Sequence, residues 1–171
     1  DGGTRAWIES NLQVETEEGA LVPFHYSPIQ LELDRTVDQL KAAGKLVRII
    51  LLKSRQVWGS TWTEGRIYEK CRRNPGQRAT IISHDKSSAR RLFGMFQTFY
   101  KYDPHQLPTD YSNRQELIFS DPHRSQVSIE TAENIHAGSS FTNQALHISE
   151  LPKWPRNTSR KTMLSLLSTL H

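Results

Sequence analysis

The sequence predicts an α/β domain in which a mostly parallel sheet is flanked by helices. Short runs of β-branched and apolar residues at 47–53, 79–83 and 145–149 alternate with stretches whose apolar residues recur at helical spacing. Strands that alternate with helices favour parallel pairing through right-handed crossovers. The 171 residues, 36% of them hydrophobic and 23% charged, suffice for one domain with a sizeable core.

Capping residues and helical periodicity predict the first elements. Residues 7–12 are expected to form a short helix within an N-terminal arm, which we set at 1–26. A longer helix begins after Ser27 with Pro28 in its first turn, and Gly44 ends it. These residue types therefore predict both ends of the helix.

The remaining elements belong to a predicted core of residues 27–171. A strand over 47–53 leads into a helix over 61–73, and a strand over 79–83 leads to Asp85, which caps the next helix. One face of that helix carries Ala89, Leu92, Phe93, Phe96 and Tyr100. The other predicted elements are a loop over 101–113, a hairpin of strands 116–119 and 126–131, a strand at 145–149 and a helix over 158–170.

Composition excludes several classes of protein. The single cysteine, Cys71, excludes an intrachain disulfide and a zinc site built from several thiolates, which is typical of a reducing compartment. No apolar run approaches the ~20 residues that span a bilayer, and no leader opens the chain. We therefore expect a soluble intracellular protein without a membrane partner. The net charge of +4 permits an acidic partner such as DNA or nucleotide without requiring one.

The segment 47–61, VRIILLKSRQVWGST, is the most informative in the chain. An apolar strand ends in Lys53 and Arg55, and a glycine with two hydroxyl residues then opens a helix. This order is typical of a phosphate-binding loop, where unpaired N–H groups and the helix dipole attract an anion. No lysine follows Gly59, so an ordinary turn between strand and helix stays an alternative. Nucleoside triphosphate is the expected ligand.

The strand at 145–149 supplies a second signal, because Glu150 follows it directly. Ligands of parallel α/β sheets bind outside the carboxyl ends of the strands, and the strand at 47–53 is expected to end at the same edge. A carboxylate there can orient the water that attacks a triphosphate, while Ser149 can hydrogen-bond a metal-bound water. A helix-capping or surface role is the structural alternative for Glu150.

Four segments in order resemble the ATPase domain of the large terminase subunit of tailed bacteriophages. They are VPFHYSPIQ, RIILLKSRQVWGST, SHDKSSARRLF and AGSSFTNQALHISELPKWP, and the resemblance runs from Trp7 to His171. It implies a P-loop NTPase-like fold of the ASCE/RecA type. It also implies an ATP-hydrolysing, Mg²⁺-dependent motor that packages DNA into a capsid, with the nuclease domain of such subunits outside this chain.

The same resemblance implies partners and a location. The expected partners are double-stranded DNA, further copies of the chain in a ring on the capsid portal, and the small terminase subunit. The expected location is the cytoplasm of the infected bacterial host, docked on the viral procapsid. A helicase-type DNA-stimulated ATPase and a catalytically silent nucleotide-binding or assembly module stay open as alternatives.

Individual residues take their roles from the resemblance. The implied catalytic residues are Glu150, Lys53 and Arg55. The implied ATP-binding residues are Gln30, Lys53, Ser54, Arg55, Gln56, Gly59, Ser60 and Thr61, and the implied magnesium site comprises Thr61, Ser60 and Ser149. Gln30 would pair with the adenine edge, but Ser27 and Gln30 also match a capping box, and both uses stay open.

Two positions depart from the family pattern. Trp58 stands where many relatives have glycine. Ser139 follows Gly138 where many terminases carry an arginine that reaches a neighbouring subunit's nucleotide. Either Arg124 or Arg114 substitutes for that arginine, or the ATPase is slow.

Overall fold

Five strands form a mixed sheet with helices packed against both faces. The computed structural model describes residues 3–52, 58–134, 142–157 and 159–170. In chain order the elements are α1 (Thr4–Asn11), β1 (Gln13–Glu15), β2 (Leu21–Pro23), α2 (Pro28–Ala42), α3 (Gly59–Arg73), β3 (Arg78–Ser83), α4 (Lys86–Tyr102), β4 (Thr109–Ser112), β5 (Glu116–Phe119), β6 (Gln126–Thr131), β7 (Ala145–Ile148), a 3₁₀ turn (Leu151–Lys153) and α5 (Ser159–Ser168). This arrangement confirms the predicted α/β class.

The sheet is parallel on one side and antiparallel on the other. Its strand order is β4-β5-β6-β3-β7. The strands β6, β3 and β7 are parallel, whereas β4 and β5 pair antiparallel and β5 joins β6 in the predicted hairpin. The sheet is thus mixed, and the carboxyl ends of its three parallel strands meet at one edge.

The two faces of the sheet bury separate clusters, as strand alternation requires. On β3, Ala79 and Ile81 face the larger cluster, which includes side chains of α3 and α4. Ile82 faces the opposite way and packs with Trp154 and with Leu166 of α5. The helix that precedes β3 and the helix that follows it therefore cover the same face.

The first 26 residues, predicted as an arm, contribute to the larger cluster. Ile8 and Leu12 from α1 and the adjoining turn are 0% and 2% exposed, and Phe24 after β2 is 2% exposed. The β1–β2 hairpin forms a small sheet of its own. The described part of this segment is consequently packed against α3 and α4.

The strand predicted over 47–53 is wrong for its described residues, 47–52. These residues have no regular secondary structure, and the side chains of Ile50 and Leu52 are 91% and 92% exposed. A strand is held by hydrogen bonds to a neighbouring strand, and none of the described residues pairs with this segment. Lys53 lies outside the described residues.

The predicted loop over 101–113 is partly wrong as well. The strand β4 occupies its end and pairs with β5, with a register shift between Thr109 and Tyr111. The shift explains why the alternation of an ordinary strand is not visible in the sequence there.

Both predicted helix caps are confirmed. Ser27 and Gln30 form the capping box at the start of α2, and Asp85 accepts hydrogen bonds from the backbone N–H groups of Ser87 and Ser88 at the start of α4. Within the described residues, no helix is both long and apolar enough to cross a bilayer.

Candidate functional site

The carboxyl ends of β3 and β7 meet through a histidine. His84 follows β3, and its Nδ1 lies 2.8 Å from Oε2 of Glu150, which follows β7. Its Nε2 lies 2.5 Å from Oδ2 of Asp85. Each ring nitrogen of His84 thus contacts a different carboxylate, and the ring lies between two acidic side chains.

Glu150 is held as an ionised carboxylate. Its Oε1 accepts from Nζ of Lys153 at 2.9 Å. This hydrogen bond, with smaller contributions from the charges of Lys153, His84 and Arg91, lowers the pKa of Glu150 below its ordinary range. The side chain is 42% exposed, so a ligand at this edge can reach it. The residue has a φ of 53°, which turns the chain sharply out of the strand.

The acidic edge continues into the start of α4. Asp85 accepts from the backbone N–H of Ser87 at 2.7 Å and of Ser88 at 3.0 Å, and also from Oγ of Ser88. These hydrogen bonds lower the pKa of Asp85 to about 2, and the bond from the Ser88 backbone contributes most. Arg91 Nη2 donates to the same Ser88 hydroxyl at 3.2 Å. A continuous polar network thus runs from Arg91 to Glu150.

Trp58 precedes α3 with a φ of 50°. Among the described residues, no side chain accepts from the first N–H groups of the helix. The left-handed conformation of Trp58 is one that glycine adopts at least cost. The carbonyl of Trp58 accepts from Nε2 of Gln30 at 2.9 Å. Gln30 therefore ties the start of α2 to the start of α3.

The helix α3 runs antiparallel to β7, and two contacts fix this direction. Glu64 Oε1 lies 2.5 Å from Nδ1 of His147, and Lys70 Nζ donates to the carbonyl of Gln144 at 2.8 Å. From residue 64 to 70 a helix rises ~9 Å, and from 144 to 147 a strand spans ~10 Å. These two lengths agree, so the helix and the strand run side by side in opposite directions. The first turn of α3 therefore points towards the carboxyl end of β7.

A cavity of about 290 Å³ opens beside the first turn of α3. Trp58 and Thr61 line it on one side, and Arg91 and Met95 of α4 line it on the other, with residues 13–15 of the hairpin at its rim. Its volume is close to the ~300 Å³ at the lower end of small-molecule sites. Arg91 thus belongs both to this cavity and to the polar network at the acidic edge.

The predicted ligand residues divide into described and undescribed groups. Lys53, Ser54, Arg55 and Gln56 lie outside the described residues, as do Gly138 and Ser139. Gly59, Ser60 and Thr61 form the first turn of α3, which begins two residues before the predicted start.

Gln30 has a clear structural role. Its Oε1 accepts from the Ser27 N–H at 2.9 Å, its Nε2 donates to Trp58, and the residue is 2% exposed. The capping box is thus formed, and an adenine would have to compete with these contacts for the amide.

The donors available for magnesium are hydroxyls. Among the described residues, no group of three or more His, Cys, Asp or Glu side chains could hold a metal ion. Mg²⁺ in nucleotide sites takes few protein ligands and several oxygens from water and phosphate, so Ser60 and Thr61 are donors of a fitting type. Within the described part of the chain, Thr61 Oγ1 donates a weak hydrogen bond to Sδ of Met95, at 3.5 Å. Ser149 is positioned by its N–H, which donates to the Ile82 carbonyl at 2.8 Å.

Arg124 and Arg114, the two arginines predicted as substitutes at Ser139, lie at opposite ends of the parallel strands. Arg124 lies in the turn between β5 and β6, at the amino end of the parallel strands, where it pairs with Asp121. Arg114 lies between β4 and β5, at the same edge as Glu150. Arg91, which lines the cavity, is the arginine that acts electrostatically on Glu150.

Sequence reasoning missed three members of this region. The contact of His84 with Glu150 depends on pairing between β3 and β7, which are distant in the chain. Glu64 and His147 were also missed, although one signal was present. Glu64 lies at helical spacing with Ile67 and Cys71, so a charged residue interrupts an apolar stripe.

Comparison with known proteins does not assign the chain to a family. No protein-family model matches the chain, and no curated protein matches it at a significant level. The arguments for function therefore come from the residues and their arrangement.

Proposed function

We propose that this domain binds ATP with Mg²⁺ and hydrolyses it, as the motor domain of a viral terminase large subunit that drives DNA packaging. One observation carries the proposal: α3 lies antiparallel to β7, so its first turn and Glu150 face the same end of the parallel strands. Both halves of a triphosphate site, an anion-binding helix start and an acid, are needed at one edge.

The first turn of α3 is the proposed phosphate site. The N–H groups of Gly59, Ser60 and Thr61 point out of the helix start, where the dipole favours negative charge. Lys53 and Arg55 would add fixed positive charge, and Ser60 or Thr61 would supply a hydroxyl to Mg²⁺. Bound magnesium neutralises charge on the phosphate oxygens.

Glu150 is the proposed water-orienting carboxylate. Its pKa is lowered by the Lys153 hydrogen bond, so it is ionised near neutral pH and can accept a hydrogen bond from the attacking water. His84 fixes the direction of the carboxylate through Oε2. In this reading the water attacks in line with the leaving phosphate group.

Two substitutions test the catalytic roles. Lys53→Ala should abolish phosphate release from ATP, because it removes the positive charge proposed to contact the phosphates. Glu150→Gln should leave ATP binding in calorimetry intact while stopping hydrolysis. Glu130→Gln is the matched control, since Glu130 lies near the carboxyl end of the neighbouring parallel strand β6. Unchanged hydrolysis in Glu150→Gln would remove that residue from its role.

The packaging role and the helicase-type role differ in what they do to DNA. A packaging motor moves along duplex DNA without opening it, and a helicase separates the strands. Stimulation of phosphate release by duplex DNA, with no single strands in a gel assay, is the result expected for packaging. Released single strands would favour the helicase-type ATPase.

A specific observation also favours a nucleotide-binding module without turnover. Both oxygens of Glu150 already have partners, Lys153 at Oε1 and His84 at Oε2. A carboxylate held in this way must release or share one partner before it can orient a water. ATP binding in calorimetry without phosphate release from the wild-type protein would support the silent module.

A further inference from the structure

A carboxylate lies fully buried between the proposed phosphate helix and the strand that leads to Glu150. Glu64 on α3 is 0% exposed, and its Oε1 contacts Nδ1 of His147 on β7 at 2.5 Å. Among the described residues, its Oε2 has no hydrogen-bond partner. The pair is therefore an incompletely satisfied polar contact within the interface of helix and sheet.

Stability does not account for this pair. Burial raises the pKa of Glu64, and the neighbouring His147 opposes that rise only in part. Removing ionisable groups from water carries a large penalty, and well-packed apolar residues in place of a buried pair often leave a protein equally or more stable. A buried acid with an unpaired oxygen is more simply explained by what it holds in place.

The position of the pair indicates what it holds. Glu64 lies one turn after Thr61 of the proposed phosphate site, and His147 lies three residues before Glu150. The other contact between these elements, from Lys70 to the Gln144 carbonyl, lies at the far end of the helix. Of the described side-chain contacts between α3 and β7, the Glu64–His147 pair is thus the one nearest to the proposed site.

We infer that Glu64 and His147 are positioning residues that fix the first turn of α3 against the carboxyl end of β7. The inference rests on the proposed function, because the spacing that it sets is that between the phosphates and the carboxylate of Glu150. Because Glu64 is fully buried, its contact with His147 restrains both the rotation of α3 about its axis and its position along β7. Displacement of reacting groups by ~1 Å can cost ~100-fold in rate.

The experiment compares two substitutions at Glu64. Glu64→Met removes the hydrogen bond but keeps the volume, and Glu64→Gln keeps the shape and one hydrogen bond to His147. Glu64→Met should lower kcat by about 10- to 100-fold at a temperature where it stays folded, while the ATP affinity from calorimetry stays within about 2-fold. Its Tm should fall because His147 loses its buried partner, whereas replacing both residues, as in Glu64→Met with His147→Leu, should restore the Tm. Glu64→Gln should keep kcat within about 3-fold, because the bond sets the position.

The matched control is Glu69→Gln. Glu69 is a second buried acid of α3, 7% exposed, but it pairs with Arg73 of its own helix. Its substitution should leave kcat unchanged. The double variant Glu64→Met with His147→Leu should lose no more activity than Glu64→Met alone, because the two residues act as one unit. Wild-type kcat in folded Glu64→Met would overturn the inference, as would equal losses in Glu69→Gln.

Amide hydrogen exchange separates this inference from the proposed function. Loss of the link should speed exchange of the first hydrogen-bonded amides of α3, which begin with the Trp62 N–H that donates to the Trp58 carbonyl, by about 10-fold in Glu64→Met without nucleotide present, and Glu69→Gln should not. If the wild-type protein hydrolyses no ATP but the exchange changes as expected, the proposed function fails and the mechanical link stands. Unchanged exchange in Glu64→Met overturns the link itself.

Discussion

Two glycines inside helices provide a matched test of the packing, because the same substitution should have opposite effects at them. A β-carbon added at Gly65 of α3 would lie 2.8 Å from Cε1 of Phe24, closer than real β-carbons approach other atoms. A β-carbon added at Gly94 of α4 would meet no atom within 4 Å. We predict that Gly65→Ala destabilises the protein and that Gly94→Ala stabilises it.

The magnitudes follow from helix propensity and from packing. Alanine is favoured over glycine in a helix interior by ~1 kcal/mol, which is the whole effect expected at Gly94. At Gly65 the same gain is outweighed by overpacking, which typically costs ~1–3 kcal/mol. Phe24 cannot move away easily, since it is 2% exposed and its ring stacks on Phe99 with centroids 6.0 Å apart. The net result at Gly65 is a loss of ~1 kcal/mol.

Thermal unfolding followed by circular dichroism measures both effects. In a domain of this size 1 kcal/mol shifts Tm by ~2–4 °C, so the two variants should differ by ~4–8 °C. Urea midpoints should move in the same directions with an unchanged m value. If Gly65→Ala raised Tm as much as Gly94→Ala, Phe24 would not be fixed against α3. Adding Phe24→Leu to Gly65→Ala should recover part of the loss that the clash causes.

Two further predictions concern a helix cap and a buried thiol. Ser27→Ala removes the oxygen that accepts from the Gln30 N–H and should lower the free energy of unfolding by ~1 kcal/mol, seen as a fall in Tm of ~2–4 °C; an unchanged Tm would contradict a stabilising cap. Burial raises the pKa of Cys71 from 9.0 to about 12, so the native thiol should resist iodoacetamide at about pH 8 and react only in urea. The native state binds this proton more tightly, so its stabilising contribution is complete below pH 9.0 and is lost as pH rises towards 12.

Helix ends were the features most accurately predicted from the sequence. Ser27 and Asp85 satisfy backbone N–H groups within three residues of themselves, so their roles depend on neighbours in the chain. The hairpin of β5 and β6 was predicted for the same reason, because a short connection joins its strands. A contact can be predicted from the sequence where the two interacting groups are also close in the chain.

The strand predicted at 47–53 illustrates the opposite case. Its composition favours β structure, yet residues 47–52 lack a partner among the described residues and remain exposed. Strand formation depends on hydrogen bonds to another segment, so a run of β-formers cannot determine it alone. The helix α3, in contrast, is held by hydrogen bonds within its own segment, and it forms over Gly59–Arg73, close to the predicted 61–73.

The sequence by itself determined the α/β class, the caps and the order of most elements, because these depend on periodicity and on contacts over a few residues. Only the tertiary structure decided that His84 meets Glu150 and that Glu64 meets His147, pairs separated by 66 and 83 positions. Sheet register and helix docking bring such groups together, and a single sequence does not specify them. The polar contacts of the candidate site therefore could not be predicted from the sequence and were identified from the tertiary structure.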